Sequence, residues 1–130
     1  MSDLSKSLMM AASGMKAQSA RLRLVSENMA NADTPGYRRK AASFEQEMRM
    51  AERKGAVTQG KVRLDQTELS RIYDPSHPMA DGEGYYDGSN VNIIIEIADA
   101  REAQRSYEAN LKMFEQTRKM SSAVLELLRK

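Results

Sequence analysis

The chain has 130 residues, 41% of them apolar, and its 20 basic and 18 acidic residues leave a net charge of +2. This length suits one domain, and the near-neutral charge argues against a nucleic-acid-binding protein. The chain has no cysteine, which excludes disulfides and thiolate metal sites, and no apolar run reaches the roughly 18 residues of a membrane-spanning helix.

The N-terminal part, residues 1–33, predicts one long helix with a heptad seam. Apolar residues recur there at alternating spacings of four and three, which is the rhythm of a coiled coil. The same rhythm continues through residues 7–15, whose composition resembles the apolar core of a signal peptide, so we expect no cleaved signal. The seam consists of Leu4, Leu8, Ala11, Met15, Gln18, Leu22, Val25 and Met29.

A specific stop follows in the segment NMANADTPGY at residues 28–37. Pro35 disfavours the α region for the preceding Thr34, so the helix is expected to end by about Asp33. Pro35 and Gly36 suit the two central positions of a type II turn, because glycine tolerates the positive φ required there. Local physics alone therefore predicts a helix terminator.

Polar groups accompany this stop. The amides of Asn28 and Asn31, about one helical turn apart, are placed to bond carbonyls at the helix end. Tyr37 offers a large ring with a polar tip, which suits an interface. We expect the basic run at residues 38–40 to form a solvated face or salt bridges between subunits, and contact with peptidoglycan or lipid headgroups is the alternative.

The middle of the chain holds all three prolines and six of the seven glycines. Residues 41–54 contain good helix formers, although a strand beginning at Ser43 fits equally well. Alternating apolar residues predict short strands at about 61–66 and 69–74. The turn-rich segment DPSHPMADGEGYYDGSN, residues 74–90, predicts a loop.

His77 is the only histidine and lies in this loop near several carboxylates. A hydrolytic metal site needs several ligands at fixed spacing, and a calcium loop starting at Asp81 would require glutamate where the chain has Asn92. No nucleophile-elbow motif surrounds any serine. We therefore expect His77 to stabilise a turn, and we predict no catalytic residue, metal site or cofactor.

The C-terminal part, residues 91–130, predicts a second long helix with its own heptad seam. Two polar residues interrupt this seam, as one interrupts the first. The seam consists of Ile97, Ala100, Gln104, Tyr107, Leu111, Phe114, Arg118, Ser121, Leu125 and Leu128.

These elements predict a mainly α fold. The helices of residues 1–33 and 91–130 pair as an antiparallel coiled coil, and residues 34–90 form a small outer insert with short strands and loops. Two narrow seams bury little apolar area, so we expect the lone chain to be marginally stable, with mobile termini that fold on assembly.

Three motifs are spread along the chain. The first contains Ser26, Asn28, Ala30, Asn31, Thr34, Pro35, Gly36 and Tyr37; the later ones contain residues 73–78, 80–81 and 83–85, then Asn90, Val91, Asn92, Glu96, Arg105, Tyr107 and Asn110. The first motif resembles that of bacterial flagellar rod and hook proteins, and the later ones resemble the short proximal rod members, so the resemblance covers essentially the whole chain. Ser89 is a departure, because the family commonly has proline there, and we expect a less rigid approach to the last helix.

This resemblance implies a structural subunit of the flagellar basal body, without enzymatic activity. Such a subunit assembles with its own copies and with other axial proteins into the proximal rod, which carries motor torque across the periplasm. The resemblance also implies export by the flagellar type III apparatus without signal cleavage, and contact with peptidoglycan is a further expectation. Neither nucleic-acid binding nor a membrane span is expected.

Three other functions are compatible with parts of the pattern. Another short rod protein of the same family is the nearest. A soluble helical-hairpin binding module would be a stably folded monomer that binds a partner helix. A nucleic-acid-binding hairpin would lose affinity steeply with salt. Neither of the last two accounts for the motif at residues 26–37.

Overall fold

A computed structural model describes residues 3–42, 53 and 60–129 of the chain. Two long helices dominate it, which confirms the predicted mainly α fold. Asn92 caps the second helix, because its side-chain oxygen accepts a hydrogen bond from the Ile94 N–H at 3.0 Å. The elements are α1 (Asp3–Ala30), β1 (Lys40–Ala42), β2 (Val62–Leu64), β3 (Arg71–Tyr73), β4 (Tyr85–Asp87) and α2 (Ile93–Arg129).

The two helices pack against each other in antiparallel orientation. Gly14 of α1 lies against Asn110 of α2, and Asn28 of α1 bonds Glu96 of α2. Moving one residue toward the C-terminus of α1 therefore corresponds to moving one residue toward the N-terminus of α2. This register places the start of α1 near residue 121, so residues 122–129 of α2 extend about 12 Å past the described start of α1.

Small side chains make the contact between the helices. Ala11 and Ala17 of α1 and Ala103 of α2 are buried. A Cβ atom added to Gly14 would lie 2.8 Å from the side-chain amide of Asn110, which is closer than van der Waals contact allows. Close approach of the two backbones therefore depends on the absence of large side chains along this line.

The predicted seams lie beside this contact line and overlap it only in part. Their members Ala11, Gln18 and Val25 are buried. The pattern missed several residues of the contact line, because its four-three rhythm was fixed on the large apolar residues beside them; these are Gly14, Ala17, Asn28, Glu96 and Ala103. Leu4, Leu8, Met15, Leu22 and Phe114 are half-buried, and Met29, Ile97, Tyr107, Leu111, Leu125 and Leu128 are exposed. Burial of the exposed members between subunits stays a prediction.

The insert contains two separate antiparallel strand pairs. Strand β1 pairs with β2, and β3 pairs with β4. Strands β2 and β3 lie within the predicted segments 61–66 and 69–74. The expectation for residues 43–52 and 54 falls outside the described residues, and the division of the chain into domains at residues 33 and 91 stays a prediction.

The prediction of a loop for the whole of residues 74–90 was wrong at β4. Gly84 has a positive φ of 88°, and the Asp81 carboxylate accepts the Tyr85 N–H at 3.1 Å. Together they turn the chain so that Tyr85 pairs with Tyr73. Local turn signals revealed the reversal but could not reveal the partner strand, because that pairing is non-local.

Candidate functional site

The predicted turn at Pro35 and Gly36 is present directly after α1. Helix α1 ends at Ala30, and Gly36 has a φ of 75°. The Tyr37 N–H donates to the Thr34 carbonyl at 3.2 Å, which closes the turn. The chain therefore leaves the helix pair at a position fixed by these residues, as the stop motif predicts.

The two asparagines of the motif have different roles. The Asn31 amide donates at 2.8 Å to the Glu27 carbonyl, in the last turn of α1, and this carbonyl also accepts the Asn31 backbone N–H at 3.1 Å. Asn28 is instead buried, with 1% of its surface exposed. Its amide donates to the Lys40 carbonyl at 2.8 Å, so it bonds the first strand of the insert and no carbonyl at the end of its own helix.

Asn28 has all of its hydrogen-bonding capacity satisfied. Besides Lys40, its amide donates to the Glu96 carboxylate at 3.3 Å. Its oxygen accepts the Tyr37 hydroxyl and the Lys40 N–H, both at 2.9 Å. Two donors and two acceptors are the full complement of this side chain. Asn28 therefore joins α1, α2 and the first strand of the insert at one buried point.

Glu96 is a fully buried carboxylate at the start of α2. One of its oxygens accepts a hydrogen bond from the guanidinium of Arg39, and the other accepts the Asn28 amide. Arg39 also bonds Asp99 at 2.7 Å and lies 3.9 Å from Asp65. Burial opposes the charged guanidinium, but its hydrogen bond to Glu96 and the charges of the three nearby carboxylates outweigh burial and raise the pKa of Arg39.

Lys40 and Tyr37 complete the cluster on its outer side. The Lys40 ammonium bonds the Glu27 carboxylate, and this hydrogen bond together with the charge of Glu27 raises the pKa of Lys40. Burial, followed by the charge of Glu27, raises the pKa of the Tyr37 hydroxyl. The expectation that the basic run forms a solvated or inter-subunit face was therefore wrong for Arg39, because carboxylates of the same chain surround it. Lys40 remains partly exposed but pairs with Glu27 of its own chain.

Asn90 connects this cluster to the loop after β2. Its oxygen accepts the Arg39 N–H at 2.6 Å, and its amide donates to the carbonyls of Asp65 and Thr67 at 2.9 and 3.1 Å. Arg38 donates to the same two carbonyls. Hydrogen bonds from Thr67 lower the pKa of the Asp65 carboxyl. The loop is thus tied to both sides of the junction.

Ser89 is held in place by hydrogen bonds before α2, and the expectation of an approach less rigid than with proline stays a prediction. Its side chain is buried, and its hydroxyl donates to the Ala32 carbonyl. The Ser70 hydroxyl in turn donates to the Ser89 carbonyl at 2.9 Å. A proline has no hydroxyl for the first of these bonds, so in this chain hydrogen bonds restrain the approach to α2.

We call the joined residues the junction cluster. The structure brings together the motif residues Asn28, Tyr37, Asn90 and Glu96, and it adds Glu27, Arg39, Lys40, Asp65, Ser89 and Asp99, whose roles sequence reasoning missed. Local sequence gives no signal that these residues meet, because their contacts depend on the register of the two helices. The remaining motif residues lie outside the cluster: Ser26 and Ala30 are exposed on α1, Val91 and Asn92 precede α2, and Arg105, Tyr107 and Asn110 lie farther along α2.

His77 lies outside the junction cluster and has the structural contacts expected of a turn. Its Nδ1 accepts the Met79 N–H at 3.1 Å, and its ring stacks on Tyr86 at a centroid distance of 3.9 Å. Within residues 3–42, 53 and 60–129, no group of three or more side chains is arranged to hold a metal ion. Neither helix in these ranges combines the length and apolar character needed to cross a bilayer.

Comparisons with known proteins agree with the two-ended motif. The family model described as "Flagella basal body rod protein" matches residues 8–38, and the model described as "Flagellar basal body rod FlgEFG protein C-terminal" matches residues 83–127. These two segments contain most of α1, the stop motif and nearly all of α2.

Full-length relatives extend the similarity over the whole chain. The chain is 43% identical to the flagellar basal-body rod protein FlgC of Agrobacterium fabrum, over 99% of this chain and 98% of the relative. It is 32% identical to FlgC of Bacillus subtilis, over 93% and 95% of the two chains. It is also 32% identical to FlgC of Salmonella typhimurium, over 90% and 92%. The chain therefore belongs to the FlgC family of flagellar basal-body rod proteins.

Proposed function

We propose that this chain is a structural subunit of the proximal part of the flagellar rod, where it assembles with its own copies and with other rod proteins to carry motor torque across the periplasm. The family is structural, and no residue of the junction cluster is given a catalytic role. The observation that carries the proposal is the contrast between the little apolar surface that the chain buries and the large apolar surface that it exposes.

The buried apolar residues among those described are few and mostly small. They are Ala11, Ala17, Val25 and Ala103. Ordering the backbone costs roughly 1–2 kcal/mol per residue, and apolar burial returns about 25 cal/mol per Å². A helix pair held by three alanines and a valine is therefore marginal alone, and burial between subunits supplies the missing stabilisation.

One group of exposed apolar residues lies where α2 extends past α1. Leu127 and Leu128 are 73% and 79% exposed, and Val124 and Leu125 lie beside them. Exposed leucines at this density are typical of an interaction surface. In a rod assembled from copies of this chain and other rod proteins, neighbouring subunits are the partners that best fit this surface.

The junction cluster has a mechanical role in this proposal. Torque applied to the insert must reach the helix pair through residues 31–40 and 88–92, the two connections between them. Buried ionic and amide hydrogen bonds cross both connections, through Asn28, Arg39 and Glu96. Such bonds are directional, so they fix the angle between insert and helices in a way that apolar contacts alone do not.

The proposal also covers how the chain is exported and whether its insert contacts the cell wall. Helix α1 is continuous through residues 7–15, which supports export by the type III apparatus without removal of an N-terminal signal. Tyr73 and Met79 in the insert are each 63% exposed. These side chains support a contact of the insert with its surroundings, and peptidoglycan is the polymer that the rod passes.

Fractionation of flagellated cells tests the proposal. We expect the native chain to remain with basal bodies after detergent extraction and membrane stripping, when detected with an antibody. Replacing Leu125 and Leu128 together by glutamate is expected to abolish this retention, because two charges would enter a buried contact. The control Ser122→Glu adds a charge at the same end of α2 and is expected to retain it.

Recovery of the native chain only in the soluble fraction of flagellated cells would contradict the rod proposal. That result would favour the helical-hairpin binding module, whose apolar helix surface would then serve a soluble partner. Equal retention of the leucine variant and the Ser122→Glu control would leave the rod assignment intact but would remove the apolar end of α2 from the assembly contact.

A further inference from the structure

The contact line between α1 and α2 contains a polar side chain whose hydrogen bonding is incomplete. Gln18 of α1 is buried, with 8% of its surface exposed. Among residues 3–42, 53 and 60–129, its buried Oε1 atom has no hydrogen-bond partner. A buried acceptor without a donor has lost its hydration and gained no bond in return, which destabilises the folded chain. Gln18 therefore weakens the helix pair of which it is a part.

The polar residues of α2 opposite Gln18 do not supply the missing bond. The antiparallel register described above places Ser106 opposite Gln18. Asn110, one helical turn farther along α2, donates its amide at 2.9 Å to the Ser106 carbonyl, which belongs to its own helix. The amide of Asn110 is thus bonded along α2 and not across to α1.

The other polar point of the contact line is fully bonded. Asn28 and Glu96 join the helices beside the insert, and every donor and acceptor of the Asn28 side chain has a partner. Gln18 lies ten residues before Asn28, which is about 15 Å along the helix axis. The contact between the helices is therefore held firmly at the insert end and is weak near its centre.

An apolar residue suits the position of Gln18. Its neighbours in the predicted seam, Met15 and Leu22, are apolar, and the adjacent Ala17 is buried. Methionine and leucine are similar in size to glutamine and would bury no polar atom there. Because replacing a buried polar group by an apolar group of the same shape is often neutral or stabilising, Gln18 makes the helix pair less stable than this position allows.

We propose that Gln18 is a built-in weak point that lowers the stability of the lone helix pair, so that the chain unfolds readily for export. The inference rests on the proposed rod function, of which export is a part, and adds a residue that sets how easily the chain unfolds. Stabilising substitutions usually slow unfolding, and they impair function where function requires a flexible chain. In the assembled rod, burial against neighbouring subunits compensates for the weak point.

The variants Gln18→Met and Gln18→Leu test the effect on stability in the purified full-length chain. Each removes the unbonded oxygen and keeps a side chain of similar size. We expect the urea midpoint, measured with sucrose in every sample, to rise by roughly 0.5–1 M. The control Gln104→Leu places the same residue at an exposed seam position of α2, and we expect its midpoint to stay unchanged.

Pulse labelling of flagellated cells tests the effect on export, because it follows how fast the new chain leaves the cytoplasm for the periplasm and the basal bodies. Counting both destinations separates slow export from failed assembly. We expect both Gln18 variants to leave the cytoplasm several-fold more slowly than the native chain, and Gln104→Leu to leave at the native rate.

A double variant separates stability from direct recognition of Gln18. Ala12→Gly, at an exposed position of α1, weakens the helix because glycine loses more backbone freedom on folding. Combined with Gln18→Leu, it is expected to return both the urea midpoint and the export rate toward the native values. Ser19→Gly, also at an exposed position, is added if one glycine does not restore the midpoint.

Three outcomes would overturn the inference while the native chain is still exported. They are urea midpoints that do not rise in either Gln18 variant, raised midpoints with unchanged export, and slow export that persists after the midpoint has been restored. The last result would show that the export apparatus contacts Gln18 itself. Failure of the native chain to leave the cytoplasm or to enter basal bodies would instead contradict the proposed function, so the two failures are distinguishable.

Discussion

Substitution of Glu96 by glutamine is the most direct test of the junction cluster. The two side chains have nearly the same shape, so the change removes a charge and one acceptor without creating a cavity. The carboxylate of Glu96 is fully buried, and both of its neighbours, Arg39 and Asn28, donate hydrogen bonds to it. Glutamine has only one oxygen to offer them.

The surrounding bonds prevent a simple rearrangement. Asn28 cannot turn its amide around, because its oxygen already accepts from Tyr37 and Lys40. The NH2 group of the new glutamine must therefore face a second donor, either the guanidinium of Arg39 or the amide of Asn28. A hydrogen bond to a charged group contributes about 1.5–3 kcal/mol, and an unsatisfied buried donor costs about 1–3 kcal/mol. Arg39 keeps Asp99 as a partner, so we expect a loss of about 2–3 kcal/mol in the free energy of unfolding.

Urea unfolding followed by circular dichroism measures this loss, with a stabilising osmolyte such as sucrose present in every sample because the lone chain is marginally stable. With a slope of about 1–3 kcal/mol per molar urea, the midpoint is expected to fall by roughly 1 M or more. The matched control is Glu102→Gln, because Glu102 is 66% exposed and lies 3.9 Å from Arg21. Exposed pairs of this kind contribute about 0–1 kcal/mol. Equal midpoints for the two variants would refute the claim that the junction cluster holds the insert on the helices.

Three further predictions concern the insert and its connections. Ser89→Ala is expected to lower the free energy of unfolding by about 1–2 kcal/mol, because the part-buried Ala32 carbonyl loses its donor; an unchanged urea midpoint would contradict the role given to this hydroxyl. Gly84 has a φ of 88° and close neighbours, so Gly84→Ala is expected to lower the free energy of unfolding by about 1–3 kcal/mol and to speed hydrogen exchange in the β3–β4 hairpin. The control Gly82→Ala is expected to change little, because a Cβ atom at Gly82 has no other atom within 4 Å. Equal hydrogen exchange in the two variants would contradict this account. The pKa values of Tyr37 and Lys40 are raised in the folded chain, so both groups contribute stability that is complete below their unfolded pKa values of about 10. This stability is lost as the pH rises through the folded pKa values, so we expect Tyr37→Phe to reduce the fall of the melting temperature at alkaline pH. An unchanged fall in this variant would show that Tyr37 does not cause it.

Local patterns predicted the parts of this fold that depend on neighbouring residues. The heptad rhythm indicated both helices, and Pro35 with Gly36 indicated the turn that ends the first, because backbone preferences at these residues act over a few positions. Strands β2 and β3 were recognisable by alternation. Strand β4 was not, since its pairing with β3 depends on a partner about fourteen residues away.

The junction cluster was only half visible in the sequence. Asn28 and Glu96 belong to motifs that the resemblance singled out, but nothing in the local pattern shows that they meet. Arg39 was expected to be solvated or to pair with another subunit, because a basic run near glutamates has no local signal for burial. The antiparallel register of the helices is what brings Glu96 beside it.

The sequence by itself determined two long helices, the stop between helix and insert, and the family to which the chain is similar. Only the tertiary structure decided which face of each helix is internal. The heptad rule ranks residues by apolar character, but the helices meet along small and polar residues such as Gly14 and Ala103, because these permit the closest approach and the buried ionic bonds. The larger apolar residues of the seams, Leu111 and Leu125 among them, were thereby left on the surface, where a neighbouring subunit can cover them.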